Sequence, residues 1–584
     1  MPYRAPVEEF NFLFSHVVKL EDVVATDRFA DATPDMVTAI LNEAGRMCEE
    51  VLAPLQRNGD LHPAKLENGV VRTSPGFDEG YKAIAEGGWV SISASQDNGG
   101  MGLPMAVTTA VNEMMSGACL SLQLNPLMTQ GQIEALEHHA SDAVKELYLP
   151  KLISGEWTGT MNLTEPQAGS DVGALSSRAE DNGDGTYAVS GQKIYISWGD
   201  NDFAGNVCHL VLARLPGAPA GTKGISLFLV PKFLPDENGN PGQRNGVSVV
   251  SLEHKMGLHG SPTAVMQYDN ATGWLVGPEG GGMAAMFTMM NNARLGVGAQ
   301  GIGAAEGAYQ LALDYALDRK QGRSPVEGGT GTIVDHADVR RMLMTMKADI
   351  FAARAIALSC AYASDMARAG QGEEWAARFA FLTPITKAFG TDTGIAISNM
   401  GVQVHGGMGF VEETGAAQFS RDVRVTAIYE GTNGIQAMDL VGRKLSLKGG
   451  QLVRTLFGTL SGYLKDNPEA PHREELKNAM KALETATMWL ASNAPKDPEQ
   501  AGAAATPYLR LMALTVIGYL WSRMANVANE QLAAGEGNKP LLESKVVSAR
   551  FYFERLLPEV DWLLGDIQSG KDSLMAFSDD HWAA

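Results

Sequence analysis

In RVTAIYEGTNGIQ, residues 424–436, one carboxylate, Glu430, follows an apolar run and precedes a Gly-Thr-Asn-Gly turn. Apolar neighbours such as Val425, Ala427, Ile428 and Tyr429 suit a dewatered pocket, in which a carboxylate gains proton affinity and becomes a better general base. Gly431 behind it lets the backbone approach a ligand closely. The other reading is structural, a buried or helix-boundary acid, although Asp, Asn, Ser or Thr is the usual cap. A second stretch, MNLTEPQAGSDVG (161–173), concentrates Thr164, Gly169, Ser170 and Asp171. Such a loop presents hydroxyls and backbone N–H groups that suit a ring edge or a pyrophosphate, or it is an ordinary capped turn.

Other patterns exclude chemistries. GVGAQG (296–301) is literally GxGxxG. A dinucleotide fingerprint, however, follows a strand and opens a helix. Here MAAMFTMMNNARL before it and AAEGAYQLALDYALDRK after it both read as helix, so the small residues are expected to permit close helix packing. His138–His139 and His254/His259 have no acid at ligand spacing, there is no HExxH, and the histidines read as solvated or singly bonded. With no GxSxG elbow and no Cys beside an obvious His, acyl-enzyme hydrolysis lacks its nucleophile.

The elements that must position these groups follow from texture. Residues 1–157 read mainly as helices, with DMVTAILNEAGRMCEEVLAPLQ and AVTTAVNEMMSGACLSLQL separated by the Gly-rich loop SQDNGGMGLP. From 158 to 274 the runs TYAVSGQKIYISW, NVCHLVLARL, GISLFLVPKF and GVSVVSLE predict a β domain, with DNGDGT (181–186) as a hairpin tip. Helical texture returns over 275–447, where DVRRMLMTMKADIFAARAIALSCAYASDMARA predicts one very long helix, and a further helical block occupies 448–584. This α–β–α–α order, without alternating βα units, makes the chain an α+β multidomain protein rather than a doubly wound sheet.

Composition sets outer bounds. With 584 residues, two to four domains are expected. A formal charge of −21 argues against a general nucleic-acid or anionic-membrane binder. Cys48, Cys119, Cys208 and Cys360 lie far apart and read as buried thiols in a reducing compartment. The opening MPYRAPVEEF lacks a basic region followed by an apolar stretch, so no secretory leader is expected. No run reaches about 18 uncharged apolar residues, so no transmembrane helix and a cytoplasmic location are expected.

TEPQAGSD, KIYISWG, NNARLGVGAQGIG, DRKQGR, QVHGGMGF and IYEGTNGIQ occur in one order, and together they resemble the acyl-CoA dehydrogenase family of FAD flavoproteins. The resemblance covers roughly 1–447. It implies an N-terminal helical domain, a middle β-barrel or sandwich and a C-terminal helical bundle, with 448–584 as an additional helical domain. It also implies FAD as cofactor, an acyl-CoA as substrate, an electron-transferring flavoprotein as electron acceptor and a homodimer. By the same resemblance Met161, Leu163, Thr164, Gly169 and Ser170 lie along FAD, Ser170 also near the CoA moiety, while Tyr195 and Ser197 back the isoalloxazine. Asn291 to Arg294 meet the acyl-CoA, Arg294 being the conspicuous charge, against a bland reading as a helix-surface ion pair. Arg319, Gln403, Gly406 and Gly407 contact FAD across a subunit interface. Glu430 is the base, Gly431 N–H the donor to the thioester carbonyl and Thr432 a further FAD contact.

Tyr195 stands where the family usually has Trp, the basic pair of RKQGR lacks the aromatic that usually follows it, and the usual EGTSQIQ is here EGTNGIQ, with Gly434 in place of Gln. The additional block with the opening MPYRAPVEEFNFLF resembles an extended subgroup whose substrate is 3-methylmercaptopropionyl-CoA, in dimethylsulfoniopropionate breakdown. The methionines of GGMAAMFTMMNNAR suit either a soft acyl pocket or plain helix packing. Three further functions stay open, a general short- or medium-chain acyl-CoA dehydrogenase, an acyl-CoA oxidase and a DNA-associated flavoprotein. The last calls for a basic tail, whereas 450–584 holds 13 basic and 17 acidic side chains, a net of −4.

Overall fold

The computed structural model describes residues 3–584; Met1 and Pro2 of the opening segment lie outside the described residues. The chain divides into two compact units. One comprises Ala39–Gly296 with the N-terminal residues to Ala5, the other Pro6–Thr38 with Val297–Ala584.

The first unit joins helices to a β barrel. Its principal helix, Met105–His139, is buried along most of its length, and a non-helical Cys119 and the interior Pro126 interrupt it. The seven-stranded sheet runs Val247–Leu252, Thr263–Val276, Tyr187–Ser197, Arg178–Asp181, Asn206–Arg214 and Trp157–Asn162, with Ile225–Pro231 pairing both Thr263–Val276 and Asn206–Arg214. That double pairing closes the middle strands into a barrel, so their edges are removed. Its filling includes Val189, Val211, Phe228, Val230, Met266 and Tyr268. Arg178–Asp181 and Tyr187–Ser197 are antiparallel with Asp181 opposite Tyr187, so DNGDGT is a hairpin tip.

The second unit is helical. Ala337–Arg368, one unbroken helix, packs on Glu373–His405, and both carry near-continuous buried stretches. The glycines of GVGAQG lie within the helix Gly282–Asp318. A Cβ on Gly301 would sit 2.3 Å from the Gly390 carbonyl oxygen, and one on Gly394 would sit 2.7 Å from the Gly301 carbonyl oxygen. The small residues therefore serve close helix packing. In the C-terminal block the long helix Pro498–Ala534 packs against Arg473–Asn493, Lys539–Arg555 and Glu559–Ser569, and also on Ala337–Arg368, where Trp521 stacks on Phe351 at 5.6 Å.

Two helices, Ala337–Arg368 and Pro498–Ala534, are long and apolar enough to cross a bilayer, although each carries charged residues. Their most apolar windows are 83% and 72% buried inside the protein, the burial expected of core helices.

The N-terminal helix Val7–His16 belongs to this unit and ties it together by charge. Glu9 accepts from Lys347 at 2.6 Å, Arg354 at 2.6 Å and Lys545 at 3.3 Å, and Arg354 also pairs with Glu306 at 2.8 Å. The opening segment and the C-terminal block thus meet at one carboxylate. Burial alone would raise Glu9; Lys545, Lys347 and Arg354 overcome it and hold the carboxyl well below its usual range. Burial also pulls the Lys545 ammonium down to about 7, with Glu9 opposing and Lys347 and Arg354 reinforcing the effect.

Candidate active site

In the first unit TEPQAGSD and KIYISWG are brought side by side. On Tyr187–Ser197, Ile196 faces Ala264 and Lys193 faces Met266, so one extra residue bulges out between them. Tyr195 sits in that bulge at φ 60 with 62% of its surface exposed. Bulges of this kind re-aim side chains beside functional sites. The bulge is tied to the loop by Ile194 N–H donating to the Thr164 carbonyl at 2.9 Å.

A buried ion pair reinforces the junction. Lys193 donates to the Leu163 carbonyl at 3.0 Å and to Glu165 Oε1 at 2.8 Å. Glu165 also accepts from the backbone N–H groups of Ser176 at 2.7 Å and Ser177 at 3.0 Å. Burial pushes the Glu165 carboxyl up, but Lys193 and the serine donors outweigh it and hold it at about 2. Burial pulls Lys193 down to about 8 despite Glu165. We take the pair as charged near neutral pH, because each partner's hydrogen bonds are made to the ionic form. Sequence reasoning missed both residues. The available signal was a lysine sharing inward parity with Val189 on a barrel strand.

The remaining residues of this unit fall around that junction or on one helix. Met161 is half-buried at the end of Trp157–Asn162, Leu163 and Thr164 follow it, and Ser197 is half-buried on the bulged strand. Gly169 and Ser170 are exposed, and a Cβ on Gly169 would meet nothing within 4 Å. Asn291 and Arg294 lie on Gly282–Asp318. Arg294 is buried rather than on the helix surface, its guanidinium 5.9 Å from the Phe287 ring centroid. Met286 and Met289 are fully buried, as plain packing expects, whereas Met283 and Met290 are half-buried.

In the second unit Glu430 and Gly431 are consecutive residues at positive φ, 56 and 83. For glycine that region is free; for Glu430 it costs about 1–2 kcal/mol. The helix Asn433–Asp439 begins just after, and its cap is Thr432, whose Oγ1 accepts from Ile435 N–H at 3.1 Å. Glu430 is therefore not the boundary residue. Gln436 Nε2 donates to the carbonyls of Glu430 and Gly431, both at 3.3 Å, while Tyr429 Oη donates to Gln300 at 2.5 Å. The Gly431 N–H makes no hydrogen bond within the described residues. Glu430 itself is half-buried. Of its apolar neighbours, Ile428 turns outward, 51% exposed.

The motifs DRKQGR and QVHGGMGF also meet in this unit. Tyr315, one turn before Arg319, stacks on His405 at 4.4 Å. Arg319, Gln403, Gly406 and Gly407 are exposed nearby in sequence, and Cβ atoms on Gly406 and Gly407 would meet nothing within 4 Å.

One histidine departs from expectation. His259 is bonded at both ring nitrogens, to Asp60 at 2.8 Å and to the Lys255 carbonyl at 3.0 Å. Asp60 is remote in sequence, so spacing could not reveal it. Among the described residues no group of three or more His, Cys, Asp or Glu could hold a metal ion. All four cysteines are buried and form no disulfide among the described residues, and burial pushes the Cys360 thiol up to about 12.

Family models match along the chain: the acyl-CoA dehydrogenase N-terminal domain over 35–156, middle domain over 160–271 and C-terminal domain over 280–445. A model described as acetyl-CoA dehydrogenase C-terminal like matches 456–578. The chain is 44% identical to a 3-methylmercaptopropionyl-CoA dehydrogenase of Ruegeria pomeroyi, over 99% of this chain and 100% of the relative. It is 33% identical to a butyryl-CoA dehydrogenase of Syntrophomonas wolfei over 96% of this chain and 95% of the relative. An acyl-CoA dehydrogenase of Bacillus anthracis complexed with FAD superimposes with a TM-score of 0.75 at 21% identity, covering 95% of this chain and 91% of that one.

Proposed function

Because the chain belongs to the acyl-CoA dehydrogenase family of FAD-dependent oxidoreductases, we propose that Glu430 is its catalytic base and a short acyl-CoA its substrate. The observation that carries this is the Glu430–Gly431 turn, a strained acid followed by a backbone N–H with no partner among the described residues. Strain of that kind collects at functional sites.

Forming a 2-enoyl thioester removes a proton from the α-carbon and a hydride from the β-carbon. The α-C–H is too weakly acidic for a carboxylate unless charge on the thioester oxygen is stabilised. The Gly431 N–H is a preorganised donor for that oxygen, and Glu430 takes the proton. FAD, when bound, supplies the hydride acceptor.

The donor set fits that cofactor. The hydroxyls of Thr164, Ser170 and Ser197 make no hydrogen bond within the described residues, and the space beside Gly169 is open. These groups, with Met161, Leu163 and Tyr195, are the ones to hold FAD. Thr432 Oγ1 accepts from Ile435 and still has its own proton to donate. Asn291 and Arg294 are assigned to the acyl-CoA. Exposed Arg319, Gln403, Gly406 and Gly407 are assigned to FAD of a second copy in a homodimer.

The substrate we assign is 3-methylmercaptopropionyl-CoA, converted to methylthioacryloyl-CoA in cytoplasmic dimethylsulfoniopropionate breakdown, with an electron-transferring flavoprotein as acceptor. Full-length identity of 44% to the Ruegeria pomeroyi enzyme supports it. The test is anaerobic titration of the holoenzyme with butyryl-CoA, longer acyl-CoAs and the methylthio compound. The methylthio compound is expected to bleach the flavin fastest. A clear preference for butyryl-CoA would sink the substrate assignment, and no bleaching by any of them would sink the activity. Rapid reoxidation with peroxide on admitting air would move the electrons to oxygen instead.

A further inference from the structure

The strained turn persists only if its surroundings over-determine it. One anchor is Gln436, which holds the Glu430 and Gly431 carbonyls. The other is Asn433, the first residue of the following helix. Its Oδ1 accepts from Lys387 Nζ at 2.9 Å, and its Nδ2 donates to Asp392 at 2.7 Å and to Thr391 Oγ1 at 3.0 Å. Lys387 and Thr391 are fully buried on Glu373–His405. Reversing the amide would set its N–H groups against an ammonium and its oxygen against a carboxylate, so one orientation alone is satisfied. The C-terminal block backs the same element, since Asn433–Asp439 packs on Pro498–Ala534.

We propose that Asn433 is a positioning residue for proton abstraction. Its amide bolts the base-bearing turn to the helix Glu373–His405 through Lys387, Thr391 and Asp392, and so fixes where Glu430 and Gly431 N–H point. The inference rests on Glu430 being the base. Without the amide the turn can relax out of its positive-φ conformation. A misplacement of about 1 Å at a reacting group costs about 100-fold in rate.

The experiment compares holoenzyme carrying Asn433→Leu, Asn433→Ser or Glu430→Gln, each reduced anaerobically with saturating butyryl-CoA or 3-methylmercaptopropionyl-CoA. Asn433→Leu keeps the volume and removes both polar ends. It should lower the limiting rate of flavin bleaching roughly 10- to 100-fold. FAD content and the affinity for a 2-enoyl-CoA should be unchanged, and the isotope effect from α-deuterated substrate should increase. Asn433→Ser keeps an acceptor for Lys387 and should recover most of the rate. A wild-type rate in Asn433→Leu beside an inert Glu430→Gln would overturn the positioning role alone. A rate loss matched by lost FAD or lost enoyl-CoA affinity, with no change in isotope effect, would overturn it too, reducing Asn433 to general support. Wild-type reduction by Glu430→Gln would instead overturn the base assignment, and the positioning role with it.

Discussion

Lys193 and Glu165 meet at 2.8 Å with 0% and 2% of their surfaces exposed, and through them the loop after Asn162 is fixed to the strand that carries Tyr195. Their contact joins two segments that the sequence shows only as separate motifs. Taking one partner from a buried pair leaves the other charge uncompensated, at a typical cost of about 3–5 kcal/mol.

Lys193→Met should therefore melt earlier than wild type and release FAD more readily, read as free flavin fluorescence after gel filtration. Replacing both residues, with Glu165→Gln added, should cost less than the sum of the single changes. Additive losses would mean that the two side chains do not act as a unit.

The same pair predicts an acid response. Glu165 is held at about 2, below its unfolded value of 4.5, so its folded state binds fewer protons across that window. Its contribution is complete above 4.5 and is lost as pH falls toward 2. Melting temperature against pH should fall more steeply for wild type than for Glu165→Gln between pH 5 and the lowest pH at which both still fold. Parallel curves would remove Glu165 from the account.

Lys545 predicts the opposite limb. It lies beside Glu9, Lys347 and Arg354, and its folded value of about 7 is below the unfolded 10.5. The charged form is penalised in full below about 7 and the penalty is relieved as pH rises toward 10.5, so stability should climb across that range. Lys545→Met should flatten the climb in thermal melts. An unchanged slope would show that Lys545 is charged throughout.

Glu430→Gln should keep its yellow FAD and bind acyl-CoA yet fail to bleach. Stopped-flow absorbance under anaerobic conditions reads this directly. Reduction at close to the wild-type rate would show that another group takes the proton.

Gly301→Val tests the packing of Gly282–Asp318 on Glu373–His405. With only 2.3 Å between the Cβ position and the Gly390 oxygen, backbone must move. Overpacking of this kind typically costs about 1–3 kcal/mol, occasionally more. A melt within a degree of wild type would mean that the helices part easily.

Motif order carried the family, and texture carried the succession of helices, barrel and helices, because alternation at period two and period 3.6 is local information. It also marked Glu430, whose setting between an apolar run and bendable residues is written in adjacent letters. What adjacent letters could not show was pairing between distant ones. Asp60 with His259, Lys193 with Glu165, and Glu9 with Lys545 are each separated by many residues, and each pair is formed only when the backbone has folded.

Even at Glu430 the division holds. The letters alone place an acid, a glycine and a threonine in a row, with the apolar residues before them. What the fold adds is that Thr432 caps the helix, that Ile428 turns outward, and that Glu430 stands at positive φ with its carbonyl held by the Gln436 amide, beside an Asn433 tied to Lys387. The reason is energetic. An unfavourable backbone conformation is not encoded by the residue that adopts it alone but also by the bonds around it, and those of the Asn433 amide to Lys387, Thr391 and Asp392, distant in sequence, exist only in the fold.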